Sequence, residues 1–237
     1  MWNSGDAVRE RLRAVLVRIA SAARAAGRDP ASVSLVAVSK TFPADTVAAA
    51  HAAGQVAFGE SYVQEAVEKI ESLALQRGEL EWHFIGPIQS NKTRAIAEHF
   101  DWVQSVDRLK VAQRLSEQRP TDRAALNVLL QVNISGEASK SGVAPADVAT
   151  LARAVGRLPR LKLRGLMAIP EPEADAARQR APLAAMRALF DRLRAAGIDV
   201  DTLSMGMSAD LESAVLEGST MVRIGTAIFG ERQRRQP

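Results

Sequence analysis

The chain has no cysteine, so neither a disulfide framework nor thiolate chemistry can be written for it. Aromatic residues make up only 4% of it, with a single tyrosine, Tyr62. Three histidines are the only side chains that ordinarily titrate near neutral pH. No apolar run reaches the roughly 20 residues that a membrane-spanning helix needs. The opening segment, MWNSGDAVRERLR, lacks an apolar run long enough for a signal peptide. These absences fit a reducing compartment, and the cytoplasm is the expected location, with no membrane association. No metal site is expected.

An excess of one charge is nearly lacking too. Lys and Arg number 31 against 27 acids, a net +4 with a pI near 9.8. The segment from Glu231 to Pro237 holds Arg232, Arg234 and Arg235 against Glu231, which accounts for +2 of that total. The rest is spread over a surface where basic and acidic residues alternate. The pI raises nucleic-acid binding as a reading, and the distribution argues for a solvated surface with a basic tail instead.

What is present is ordinary globular composition, 47% hydrophobic and 24% charged, in a length that suits one large domain. Residues 5–26 read as an amphipathic helix with Val8, Leu12, Val15, Leu16, Ile19 and Ala23 at helical spacing. Ser4 can cap it, and Gly27 before Asp29-Pro30 ends it. Short β-branched runs then recur at 33–38, 55–58, 82–85, 101–106, 126–132, 161–167, 200–204 and 220–224. Helical periodicity fills the intervals at 44–53, 62–75, 92–99, 109–117, 145–155, 178–196 and 209–216. Eight alternations in the α/β class predict a parallel sheet with helices outside, closed into a single (β/α)8 TIM barrel. A doubly wound open sheet is the competing topology. The expected organisation is an added N-terminal helix over 1–28, a barrel over 29–232 and a basic tail over 233–237.

Polar residues and glycines gather where the strands end, the side of a barrel that carries chemistry. Ser39-Lys40-Thr41 follows the first run, Gly59-Glu60-Ser61-Tyr62 the second, and Asn133 the fifth. Ser204-Met205-Gly206-Met207-Ser208 ends the seventh, and Arg223 with Gly225-Thr226 ends the eighth. A lysine past a strand end is ordinarily a solvated surface residue. At an apolar barrel mouth its amine is desolvated toward the neutral form that adds to aldehydes. Ser208, read as opening the helix over 209–216, and the amides of Gly225 and Thr226 match the phosphate site that barrels build after strands seven and eight. Either alone is as readily a plain cap or a tight turn. Their shared position opposite Lys40 favours an anion site.

The segments AVSKTFPAD, FGESYVQEAVEKI, EWHFIGPIQSNKTR, VNISGEASKSGV, RGLMAI, LSMGMSADLESAV and GSTMVRIGTAIFGER closely resemble the pyridoxal phosphate homeostasis protein family, in order from about residue 33 to 232. The resemblance implies a fold-type III pyridoxal-phosphate barrel, like the barrel domain of alanine racemase without that enzyme's second domain. It further implies that Lys40 carries the cofactor as a Schiff base, that Ser208 with the amides of Gly225 and Thr226 holds its phosphate, and that Arg223 faces the ring nitrogen. Ser61 stands where the family usually has asparagine, so that contact to the ring oxygen is changed here.

A guanidinium can only donate, so Arg223 would leave the ring nitrogen unprotonated and the cofactor a weak electron sink. Racemisation also needs a base on each face of the substrate. Tyr62 has no second domain to stand in, and His83 in the apolar WHFI run reads as a packed histidine. The expectation is a binding protein that buffers or delivers pyridoxal 5'-phosphate, with no catalytic residue. A weak amino-acid racemase is the alternative. Partners would be pyridoxal-phosphate-dependent apo-enzymes or enzymes that make the cofactor. No nucleic acid is expected, and a monomer is.

Overall fold

The computed structural model describes residues 5–136, 141–171, 173 and 175–231. The expected cap Ser4 and the basic tail over 233–237 lie outside the described residues. Helix α1 (Gly5–Ala25) buries Val8, Leu12, Val15, Ile19, Ala22 and Ala23. Leu16, expected on the same stripe, is 45% exposed. At 100° per residue it falls at the edge of the buried arc, where Ala23 is small enough to stay covered and Leu16 is not. Gly27 ends the helix in a left-handed conformation with φ 66°.

Eight strands follow: β1 (Ser34–Val38), β2 (Ala57–Glu60), β3 (Glu81–Phe84), β4 (Trp102–Val106), β5 (Leu126–Gln131), β6 (Leu161–Met167), β7 (Thr202–Ser204) and β8 (Met221–Ile224). Between them run α2 (Ala44–Ala52), α3 (Val63–Ser72), α4 (Thr93–His99), α5 (Leu109–Gln118), α6 (Val148–Val155), α7 (Ala176–Ala195) and α8 (Leu211–Leu216), and α9 (Thr226–Phe229) follows β8. The strands pair in sequence order, all parallel, and β8 returns to β1 with Val36 opposite Arg223. That last pairing closes the barrel and rules out the open sheet.

Several boundaries differ from expectation. β2 starts at Ala57, because Val56 is half exposed while the run from Phe58 to Glu60 pairs with Trp82 to Phe84. Gly59 and Glu60, expected in a loop, are therefore strand residues. β7 omits Val200 and Asp201, α6 starts three residues later than the periodicity suggests, and α3 stops at Ser72 before a separate short turn over Ala74–Gln76. In β6, Gly165 has φ 151°, and a Cβ there would lie 1.8 Å from the Thr202 carbonyl oxygen. Its missing side chain lets β7 approach at the place where the β5–β6 register shifts.

The strands alternate between two apolar regions. Phe58, Trp82, Phe84, Leu130 and Leu166 face the helices in the main core, which α1 joins. Val36, Trp102, Leu129, Met167 and Met221 fill the barrel interior. Each fully buried large side chain of this kind contributes about 1.5–3 kcal/mol of transfer free energy. Polar side chains of β3, β4, β7 and β8 share that interior, which the site below depends on.

Candidate functional site

The β1–β2 register sets Val38 opposite Gly59, so two residues further on Lys40 stands beside Ser61. Lys40 Nζ lies 3.3 Å from Ser61 Oγ at the half-buried barrel mouth. The next residue, Thr41, has φ 70°. A left-handed β-branched residue costs about 1–3 kcal/mol and persists only where its surroundings hold it. Here they do. The Thr41 amide donates to Glu65 Oε1 at 2.5 Å, and Lys69 Nζ donates to the Ser39 carbonyl at 2.9 Å. Lys69 also donates to Glu60 Oε1 (2.5 Å) and Glu65 Oε1 (3.3 Å), while Ser39 Oγ donates to Glu60 Oε1 (2.7 Å). Phe42 packs on Phe229 with ring centroids 5.3 Å apart. Burial holds the Glu60 carboxyl above its usual range, against the opposing pull of Lys69 and Ser39.

Sequence reading missed this clamp on the two peptide groups that flank Lys40. The available signals were an acid, Glu60, inside an apolar run and a Glu65–Lys69 pair at helical i,i+4 spacing.

Arg223 is 4% exposed at the inner end of β8. Its Nη1 donates to Ser204 Oγ (2.6 Å) and its Nη2 to the Ala168 carbonyl (2.8 Å). Among the described residues its Nε–H has no acceptor. Burial lowers the guanidinium to about 10, with Asp210 pulling the other way, so it stays cationic at neutral pH. His83 lies deeper, fully buried and stacked on Trp102 at 5.2 Å. Its Nε2 is 2.8 Å from Glu81 Oε1 and its Nδ1 is 2.9 Å from Gln104 Nε2. Both ring nitrogens are therefore engaged inside the barrel, as a packed histidine's would be. Tyr62 is 54% exposed and its hydroxyl has no partner among the described residues.

The β7 loop departs from expectation in one respect. Ser208 does not cap a helix: α8 starts only at Leu211, with Asp210 at the cap position. Asp210 Oδ1 accepts the Met207 amide at 2.6 Å, which shapes 207–210 as a turn and delays the helix. Ser208 is half buried in that turn, its carbonyl accepts Arg18 Nη2 of α1 at 3.2 Å, and its hydroxyl has no partner among the described residues. With α8 six residues long and α9 four, donated N–H groups rather than helix dipoles are what this region offers an anion. On β8, Gly225 lies so close to β1 that a Cβ would meet the Val38 carbonyl oxygen at 3.2 Å. That approach brings the Gly225–Thr226 turn alongside the strand end that carries Lys40. Thr226 is exposed and opens α9.

Lys40, Ser61, Arg223, Gly225 and Thr226 thus share the mouth formed by β1, β2 and β8, with Ser208 on the adjoining β7 turn. The set fits an aldehyde with an aromatic ring nitrogen and a phosphate: an amine, a buried guanidinium with N–H groups beyond its two bonds, and a glycine cradle that a side chain would fill. On the β3, β5 and β6 side the mouth opens into a cavity of about 320 Å³ bordered by Ile85, Pro87, Gln131, Asn133 and Ile169. Among the described residues no group of three or more metal-binding side chains is assembled, and no helix is long and apolar enough to cross a membrane.

Known proteins share the sequence and the fold that carry this site. The alanine racemase N-terminal domain family matches residues 11–233. A pyridoxal phosphate homeostasis protein of Pseudomonas aeruginosa is 62% identical over 230 residues, 97% of this chain and 98% of that protein. Its namesake in Escherichia coli K12 is 55% identical over 216 residues, 91% and 92% of the two chains. Among solved structures, PipY of Synechococcus elongatus with PLP bound superimposes with a TM-score of 0.81 at 38% identity, covering 94% of this chain and all of that one. An alanine racemase from Corynebacterium glutamicum shares the fold, with a TM-score of 0.71 at 20% identity, covering 98% of this chain and 64% of its own.

Proposed function

Because the chain belongs to the pyridoxal phosphate homeostasis protein family, within the wider alanine racemase N-terminal domain family, we propose that it keeps the cofactor on Lys40 for storage and delivery, not for turnover. The protein binds pyridoxal 5'-phosphate and acts in its homeostasis. The observation that carries the assignment of Lys40 is its amine at 3.3 Å from Ser61 Oγ, at the mouth where Arg223 keeps an uncommitted Nε–H.

When bound, the cofactor supplies an aldehyde that condenses with a primary amine and a ring that withdraws electrons. Ser61 orients the Lys40 amine, taking the place of the family's usual asparagine. Arg223 offers its Nε–H to the ring nitrogen and, as a pure donor, leaves that nitrogen without a proton. The Ser208 hydroxyl and the amides of Gly225 and Thr226 hold the phosphate. Two features support holding over turnover. Arg223 denies the ring its strongest electron-withdrawing state, and neither Tyr62, exposed, nor His83, bonded on both nitrogens, supplies a second base at the mouth. The partners in this reading are pyridoxal-phosphate-dependent apo-enzymes or enzymes that make the cofactor, in the cytoplasm, with the carrier a monomer that binds no nucleic acid.

Borohydride reduction of the loaded protein, followed by peptide mass mapping, is expected to place the added mass on the peptide containing Lys40. Mass on Lys69, Lys92 or any other lysine instead would refute the assignment. Chiral analysis after incubation with L- or D-amino acids is expected to show turnover well below roughly 1 per second, the low end of ordinary enzymes. Faster racemisation would make the protein an enzyme.

A further inference from the structure

We propose that Ser204, Gln104 and His83 form a one-way hydrogen-bond chain that joins Arg223 to Glu81 through the barrel interior and fixes the direction in which Arg223 presents its Nε–H. Four links make the chain. Arg223 Nη1 reaches Ser204 Oγ at 2.6 Å, and Ser204 Oγ reaches Gln104 Oε1 at 2.7 Å. Gln104 Nε2 lies 2.9 Å from His83 Nδ1, and His83 Nε2 lies 2.8 Å from Glu81 Oε1.

The two ends dictate the polarity of everything between. A guanidinium can only donate and a carboxylate can only accept. Ser204 accepts from Arg223, so its single proton goes to Gln104 Oε1. That orients the Gln104 amide with its NH2 toward His83, which must accept on Nδ1. The imidazole proton then sits on Nε2 and is donated to Glu81. Every bond runs the same way, from cation to anion, and aligned links of this kind reinforce one another in a low-dielectric interior.

The chain has a physical reason to exist. Barrel interiors are ordinarily filled by branched aliphatic side chains. Here His83, Gln104 and Ser204 are all fully buried in one, a cost that only full hydrogen bonding offsets. Met221 Sδ lies a further 3.2 Å from Gln104 Nε2, and Trp102 stacks on His83, so no second arrangement of donors is offered. At the far end, burial works to raise Glu81, but its interactions with His83, then Trp102 and Arg164, outweigh it and hold the carboxyl below its usual range. With Ser204 taking one Nη1–H and the Ala168 carbonyl one Nη2–H, the guanidinium plane is pinned at two points, which fixes the direction of its Nε–H. Ser204, Gln104, His83 and Glu81 are thus positioning residues for Arg223.

The polarity of the chain does not depend on cofactor binding, whereas its use does rest on the reading of Arg223 given above. In the full chain labelled with ¹⁵N and free of cofactor, long-range proton–nitrogen spectra are expected to show the His83 proton on Nε2 alone, the signal being identified by its loss in His83→Asn. Glu81→Gln keeps every shape but removes the terminal charge, so it should shift the Arg223 Nε–H resonance and hasten its solvent exchange. Ser204→Ala should do the same and Ser204→Thr should restore it, while Asp191→Asn on α7 leaves it unmoved. In the loaded protein, Glu81→Gln should release cofactor roughly ten-fold faster with little change in melting temperature. A His83 proton on Nδ1, or an Arg223 resonance indifferent to both Glu81→Gln and Ser204→Ala, overturns the proposal. Failure of the wild-type protein to take up cofactor would instead sink the functional reading, and the two resonances would still decide the chain.

Discussion

Replacing Lys40 by alanine is expected to abolish the absorbance band at about 420 nm that the loaded protein shows, and to let the cofactor pass through gel filtration unretained. The remaining contacts, a hydroxyl turn at Ser208, two amides at Gly225 and Thr226 and the Arg223 donor, are noncovalent and open to water on one side. Retention should therefore weaken by at least about 100-fold, or ~2.7 kcal/mol. Lys40 is half buried and is not part of the apolar core, so the fold should survive. Lys40→Arg separates charge from chemistry. It keeps the cation beside Ser61, but its guanidinium has no neutral amine to offer an aldehyde at ordinary pH. It should lose the band as completely as alanine does. A persistent band in either variant would mean that another lysine carries the cofactor.

The sequence made the barrel legible because its signal is repeated. Eight apolar runs alternate with eight helical stretches, and each strand end carries polar or glycine residues, so an error of two residues in β2 or three in α6 leaves the topology unchanged. That Lys40, Ser61, Arg223, Gly225 and Thr226 gather at one mouth was readable for the same reason, since strand ends converge in a closed barrel. Ser208 was placed on the right loop but in the wrong conformation. Helical periodicity continues back through Ala209, and only the Asp210 bond to the Met207 amide, a choice between local partners, moves the helix start to Leu211. The long-range links of the two polar networks were not legible. Glu60 meets Lys69 across a strand and a helix, and Gln104 meets Ser204 across 100 residues of chain, so neither contact has a local period to betray it.

Lys69→Met is expected to lower stability by about 3–5 kcal/mol, because it leaves Glu60 buried without its cation. The side chains of Lys69 and Glu60 are 4% and 0% exposed, so water cannot take the lost partner's place. For a domain of this length that corresponds to a melting temperature roughly 10 °C lower. The loss should also acquire a pH slope. Burial already holds Glu60 above its usual range, and removing Lys69 takes away the largest pull in the other direction. A carboxyl raised in the folded state gives its full stabilisation below the unfolded value near ~4.3, and loses it as pH rises through the folded value. Denaturation of Lys69→Met should therefore become easier with rising pH over that window, more steeply than in the parent. The double variant Lys69→Met with Glu60→Leu removes both charges and should recover much of the stability and flatten the slope. It should not recover cofactor retention. The Ser39 carbonyl still lacks the Lys69 donor, so the strained Thr41 turn is held on one side only and the Lys40 amine loses its fixed distance to Ser61. Recovery of stability and retention together would reduce the clamp to a packing feature. Recovery of stability alone would show that a buried ion pair outside the barrel wall sets the geometry of the lysine inside it.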